Sequence, residues 1–208
     1  MTGTPGFKSN MLITIGDGFR GELRVDSISL GGEKGIPCIK IEDNCDVRIV
    51  LTGDNELRTG GIQVAESSKL ELAGDGDLRI TLAGGRYFGI GNDFASRHGD
   101  LYFNQDGTLS ITATGMRGIG IGSGLGGNIY IRHGRYEIDQ RGQEGVMIGC
   151  MDSDCTLRIE NCDMEIYNGI ARSVSIGSYN GIADIAIDNI SGKISGASIS
   201  TAVIGTLN

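Results

Sequence analysis

Tryptophan is absent from this 208-residue chain, and proline occurs only twice. Scarce proline and the lack of a Gly–X–Y triplet exclude a collagen helix, even though 36 residues are glycine. No apolar run approaches the roughly 18 residues that cross a bilayer, so no membrane insertion is expected. Met1-Thr-Gly-Thr-Pro5 has neither the basic nor the apolar region of a signal peptide, and none is expected in the sequence as given. Positive charge is also short. Eighteen Lys and Arg stand against 26 Asp and Glu, a net charge of −8, so a nucleic-acid partner is not expected. The five cysteines, Cys38, Cys45, Cys150, Cys155 and Cys162, contain no CxxC pair. With only His98 and His133 beside them they do not match a zinc site, and they are expected as buried free thiols, with a reducing compartment indicated. Helical periodicity is missing as well, so almost no α-helix is expected.

What the chain does have is a repeat. An aliphatic–X–aliphatic step recurs at Ile13/Ile15, Ile39/Ile41, Ile62/Val64, Phe88/Ile90, Ile119/Ile121, Val146/Ile148, Val174/Ile176 and Ala202/Ile204. Counted on the second member, the steps are 26, 23, 26, 31, 27, 28 and 28 residues. Each period holds two more alternating pairs. One series runs Leu23/Val25, Val47/Ile49, Leu70/Leu72, Leu101/Phe103, Ile129/Ile131, Leu157/Ile159 and Ile185/Ile187. The other runs Ile28/Leu30, a poorer copy at Leu57, Leu78/Ile80, Leu109/Ile111, Tyr136/Ile138, Met164/Ile166 and a weaker copy at Ile194.

Period-two alternation means short strands with one buried face. Three such strands in about 27 residues describe one rung of a parallel β-helix, seven to eight rungs high, with three short strands per rung. At about 4.8 Å per rung the stack is roughly 34 Å tall. Gly76, Gly107, Gly134 and Gly192 each precede the third strand's first apolar residue by two, a corner that predicts positive φ, with Cys162 in that place in one rung. A β-sandwich would show Asn-Gly hairpins and no constant three-strand period. A hexapeptide helix would repeat every 18 residues or so. The expected organisation is an N-terminal tail over 1–12 and one β-helix domain over 13–208.

The run Arg117-Gly-Ile-Gly-Ile-Gly-Ser-Gly124, followed by Gly127-Asn-Ile-Tyr-Ile131, resembles the right-handed, single-stranded parallel β-helices of the pectate-lyase-like group. It is most similar to their non-catalytic carbohydrate-binding members from bacterial surface proteins. The resemblance implies a solenoid that binds sugar polymers. The lyases of that group add a calcium-binding acidic cluster and a proton-abstracting arginine, and the hydrolases add paired aspartates with Gly-His-Gly and Arg-Ile-Lys. None of those motifs can be laid onto this chain, so no enzyme is expected; a polysaccharide lyase is the minor alternative.

The acidic groupings nearest to a metal site are Asp43 with Asp46, Asp75 with Asp77, and Asp152 with Asp154. Calcium needs six to eight converging oxygens, and one corner supplies too few. Asp152 and Asp154 are the metal candidates and calcium the one cofactor left open; none is otherwise expected. Asp46, Asp100, Asn128 and Asp184 recur just before the second strand, where Asx side chains suit turns. Gly122-Ser-Gly-Leu-Gly-Gly127 spells a dinucleotide fingerprint, but a strand follows it where the pyrophosphate would need a helix N-terminus. Ser123 has no nucleophile-elbow context.

Stacking the second strands puts Arg24, Arg48, Glu71, Tyr102, Tyr130, Arg158 and Ala186 in one outward stripe, with Arg132 beside Tyr130. Two exposed aromatics flanked by arginines suit a sugar ring, and guanidinium forks suit uronate carboxylates. The candidate ligand-binding set is therefore Arg24, Arg48, Tyr102, Tyr130, Arg132 and Arg158. The competing reading is a cross-strand ladder that only stabilises the sheet. Strand one presents Thr14, Lys40, Gln63, Gly89, Gly120, Met147 and Ser175 outward, and Gly91, Gly122, Gly149, Gly177 and Gly205 leave one edge bare. Uncapped ends leave two expectations, a domain cut from a longer protein or self-association through an end into a homo-oligomer. The expected function is non-catalytic carbohydrate binding, with an acidic polysaccharide as the favoured ligand and a protein partner as the second choice. The alternative is a structural, assembly or sensory solenoid of a larger surface or regulatory protein.

Overall fold

The computed structural model describes residues 1–4, 6–82, 84, 87–168, 172–196 and 201–207, with the side chains of 201 and 202 outside the described set. Ala202 and Asn208, read above as part of the last repeat, therefore carry no side-chain account. Among the described residues every regular element is a strand. All pairing between these strands is parallel, in three sheets of eight, seven and seven strands, so the chain is a β-solenoid. Where seven to eight rungs were expected, about six turns are well formed. The end coils are incompletely enclosed. At one end Arg20–Glu22 is exposed, and at the other Val203 and Ile204 are exposed although they lie on the core register.

Sheet one is built on a single isoleucine column. Ile13, Ile39, Ile62, Ile90, Ile121, Ile148, Ile176 and Ile204 pair in sequence, one per coil. β-branched side chains suit the pleated surface, and each fully buried isoleucine contributes about 1.5–3 kcal/mol. This register differs by two residues from the spacing of the repeats. Ile90 pairs with Ile62, not with Val64, so the inward row that begins Ile15, Ile41, Val64 continues as Asn92, Ser123, Cys150 and Ser178.

The consequence is two cores. Met147 belongs to the main core, and a Cβ on Gly89 or Gly120 would meet the side chain of Ile111 or Ile138. These positions, expected outward, face the interior. Phe88, Ile119, Val146 and Val174 instead form a buried cluster with Met151 and Tyr179, separate from the main core. Gly91, Gly122, Gly149 and Gly177 continue the column of Gln63, and they are buried rather than bare. Their φ values run from +132° to +147°, and a Cβ on any of them would lie 1.8 Å from the carbonyl oxygen of the next glycine up. Only glycine fits that approach.

The corners between sheets two and three are more varied than one glycine rule. Gly134 and Gly192 have positive φ as expected, at +108° and +106°, whereas Gly76 and Gly107 are absent from the positive-φ residues. There the constraint is space, since a Cβ on Gly107 would lie 2.2 Å from the Gly76 carbonyl oxygen. Gly192 pairs with Met164 and sits two residues beyond the corner position assigned to it. Residues 1–12 run against the first coil. Thr2 bridges to Asp26 and Ser9 to Leu30, and Arg58 reaches the Ser9 carbonyl at 2.6 Å.

Candidate functional site

Sheet two carries the residues singled out from the sequence. Its central outward column reads Glu22, Arg48, Glu71, Tyr102, Tyr130, Arg158 and Ala186. Arg24 is not in it. Arg24 pairs with Val50, two residues along the strand, in the column that also holds Ala73 and Asn104, with Arg132 just past the strand that ends at Ile131. Leu23/Val25 aligns equally well with Val47/Ile49 or Ile49/Leu51, and the backbone adopts the second.

Tyr102 and Tyr130 do come together. Their ring centroids are 4.6 Å apart and their planes 10° from parallel. They stack along the solenoid axis, so the rings turn faces to neighbouring coils and edges to solvent. On its free side Tyr102 has the Lys69 ammonium 5.2 Å from its centroid, and the Arg132 guanidinium is 5.8 Å from the same ring. Each such cation–π contact contributes about 0.5–1 kcal/mol at an exposed site. Burial pushes the Tyr102 phenol above its usual range, with Asp100 and Tyr130 adding to the effect.

Most other charges in the stripe are answered within the sheet. Arg48 lies 3.7 Å from Glu71, whose carboxylate also accepts from Asn104 Nδ2 at 3.0 Å. Arg24 pairs with Glu22 at 2.7 Å. Arg158 donates to the side chain and the carbonyl of Asp184, which raises the guanidinium and lowers the carboxyl from their usual values. Arg132 makes no ion pair among the described residues. Beside it, Tyr130, Arg158, Glu160 and Asp188 border a shallow depression of about 230 Å³.

The row before strand two is a mixed ladder. In order it reads Arg20, Asp46, Lys69, Asp100, Asn128, Thr156 and Asp184. Lys69 stands 3.4 Å from Asp46, and Asn128 donates to Asp100 at 2.9 Å, which relieves the repulsion that a pure carboxylate row would carry. Lys69 and Asn104 were missed as members of the site, and Glu71 was read in the stripe but left out of the binding set. Their signal was in the column order, which shows only once the register is fixed.

The metal candidates diverge. Asp152 accepts from Asn180 Nδ2 at 2.7 Å, while Asp154 accepts from the Ile182 amide at 2.8 Å, each tying one coil to the next. Among the described residues no three His, Cys, Asp or Glu side chains gather. All five cysteines are buried and free. His98 is wholly buried. Its Nδ1 donates to the Gly99 carbonyl at 2.6 Å, its Nε2 has no partner, and its ring fills the space left by Gly127. Gly127 of the Gly122–Gly127 fingerprint therefore serves a corner packed around an imidazole, while Gly122, Gly124 and Gly126 admit the close approach of other backbone carbonyls.

No family model matches the chain, and neither a curated protein nor a solved structure is found to be similar to it.

Proposed function

We propose that this chain is a non-catalytic carbohydrate-binding β-solenoid of the pectate-lyase-like type, whose sheet-two face takes an acidic polysaccharide. The observation that carries the reading is the Arg132 guanidinium, without an ion pair among the described residues, over the Tyr102 ring and beside the depression bordered by Tyr130 and Arg158. A guanidinium fork matches a uronate carboxylate bidentately, and phenol hydroxyls at the ring edges offer hydrogen bonds to sugar hydroxyls. The stacked rings do not offer a free π face, so contact is edge-on.

A second reading has its own support. Arg48–Glu71, Lys69–Asp46 and Arg158–Asp184 close most of the stripe on itself, as a ladder serving only a structural, assembly or sensory solenoid would. Retention on immobilised polygalacturonate separates the two. Arg132→Ala is expected to elute earlier than the parent at low salt with an unchanged melting temperature. Equal elution of the parent, Arg132→Ala and the double variant Tyr102→Ala/Tyr130→Ala on every polysaccharide tested, with a lowered melting temperature only in the double variant, leaves the structural reading standing.

A further inference from the structure

The larger concavity lies on another face. Sheet three carries two depressions, of about 560 and 540 Å³, that share Ser110 and Glu137 and so run into one another. The reason is in one strand. Thr108–Ala113 presents only Thr108, Ser110 and Thr112 outward, while the strands on either side present Asp77, Arg79, Arg135 and Glu137. Short hydroxyl side chains between long charged ones make a saddle, and Thr4, Gly6, Phe7 and Lys8 line it at the first coils. The linked depressions reach from Ser29 to Lys193, six coil steps, or about 29 Å at ~4.8 Å per step.

This face also holds the tyrosine that sheet two lacks. Tyr167 is 47% exposed and belongs to the second depression. Its column neighbours are Asp139 and Ser195, side chains too short to cover a ring, and it has no stacking partner among the described residues. Tyr102 and Tyr130 cover each other; Tyr167 is open.

Charge decides what fits. Asp54, Glu56, Asp77, Glu137, Asp139 and Glu165 line the trough against Lys8, Arg79 and Lys193. Asp54 and Asp77 pair directly across the strands, and Arg135 alone bridges Glu137, Asp163 and Glu165. An ionised carboxylate only accepts hydrogen bonds, and it accepts them strongly from hydroxyl groups. A polyanion entering this trough meets carboxylates of its own sign, whereas an uncharged hydroxyl-rich chain can donate to the acceptor sites these carboxylates keep beside their internal partners.

We infer that the sheet-three trough is a second glycan site, taking a neutral polysaccharide strand along the solenoid axis with a sugar ring on the open face of Tyr167. The inference rests on the carbohydrate-binding reading but uses a different face and excludes acidic chains from it.

Affinity electrophoresis in gels containing soluble galactomannan, β-glucan or polygalacturonate tests it. The parent chain is expected to be retarded by a neutral glycan, to the same extent at 50 mM and 500 mM salt. Tyr167→Ala and Ser110→Arg, the second filling the saddle from an outward position, are each expected to weaken that retardation at least tenfold with unchanged melting temperature. Arg132→Ala should leave it intact. Neutral-glycan retardation that survives both sheet-three variants, or is lost only with Arg132→Ala, overturns the trough while leaving carbohydrate binding in place. Retardation by polygalacturonate alone also overturns it. No retardation by any glycan removes this inference and the carbohydrate reading together.

Discussion

Lowering the pH should destabilise this solenoid well before its carboxylates titrate, because of His98. The imidazole is wholly buried at the corner by Gly126 and Gly127, and desolvation is the main reason its pKa falls from 6.5 to about 4. The contact with the Gly99 carbonyl opposes that fall and is outweighed, while Nε2 finds no partner that would welcome a second proton. Folding therefore expels a proton between pH 6.5 and 4, so the unfolded chain binds more protons in that window. Stability is complete above pH 6.5 and is lost as the pH drops. At pH 5 the residue is roughly 97% protonated when unfolded and about 9% when folded, a loss of roughly 2 kcal/mol. The full gap corresponds to about 3.4 kcal/mol. His98→Phe keeps a ring in the site and removes the titration. Urea unfolding of both proteins at pH 7.5, 6 and 5 should show the difference in stability between parent and variant shifting by about 2 kcal/mol across the series. Asp184, held low by Arg158, acts at lower pH and cancels in the comparison. A parent–variant difference that stays constant over this range refutes the reasoning, and with it the claim that the imidazole is dry.

Other perturbations follow from the same geometry. Gly149→Ala places a Cβ 1.8 Å from the Gly177 carbonyl oxygen at a φ of +136°, and should cost more than about 3 kcal/mol or prevent soluble expression, whereas Gly205→Ala, with nothing within 4 Å, should cost about 1 kcal/mol by thermal melting. Asn55→Leu restores the apolar pattern of sheet three yet orphans the buried Ile28 amide and takes one donor from each of the carbonyls of Thr52, Gly53 and Asp77, so a loss of about 1–3 kcal/mol is expected from urea titration where pattern alone predicts a gain. Arg135→Met leaves Glu137, Asp163 and Glu165 mutually unscreened, and its melting temperature should recover with added salt more than the parent's does. The five buried thiols should resist an aromatic disulfide reagent in the folded protein and react fully in urea.

The solenoid was legible because its repeat carries two independent signals. Alternation gives strands with one dry face, and a period near 27 residues leaves no room for anything but three of them per coil. Isoleucine at the anchor in nearly every coil and the charged outward residues of sheet two followed directly. The buried free cysteines followed from the absence of paired spacing, and the second core on sheet one did not follow at all. Phe88, Ile119, Val146 and Val174 look like inward anchors because they alternate with Ile90, Ile121, Ile148 and Ile176, and only the register shows that a buried glycine column lies beside them.

Most of the misplaced residues share one cause. On sheets two and three and in the first coils of sheet one, Arg24, Gly192 and the anchors Ile15, Ile41 and Val64 were each displaced by two positions, whereas Gly89, Gly120 and Met147 of sheet one were assigned to the wrong face. A one-residue slip turns every side chain of a strand to the opposite face and exposes its apolar set, so the hydrophobic pattern forbids it. A two-residue slip keeps each side chain on its face and preserves the pattern, and what selects the register is then the length and chemistry of the corners. Asn161 and Asn189 mark such a corner, both at left-handed φ and joined by a 2.7 Å hydrogen bond from Asn189 Nδ2 to Asn161 Oδ1, and they pin the coils that the apolar residues leave free to slide. Faces are therefore readable from sequence on sheets two and three, while the partners within a face are not. A recognition surface depends on partners. That is why Tyr102 and Tyr130 were correctly placed side by side and still read as open platforms, and why Tyr167, exposed only because Asp139 and Ser195 happen to be its column neighbours, went unnoticed.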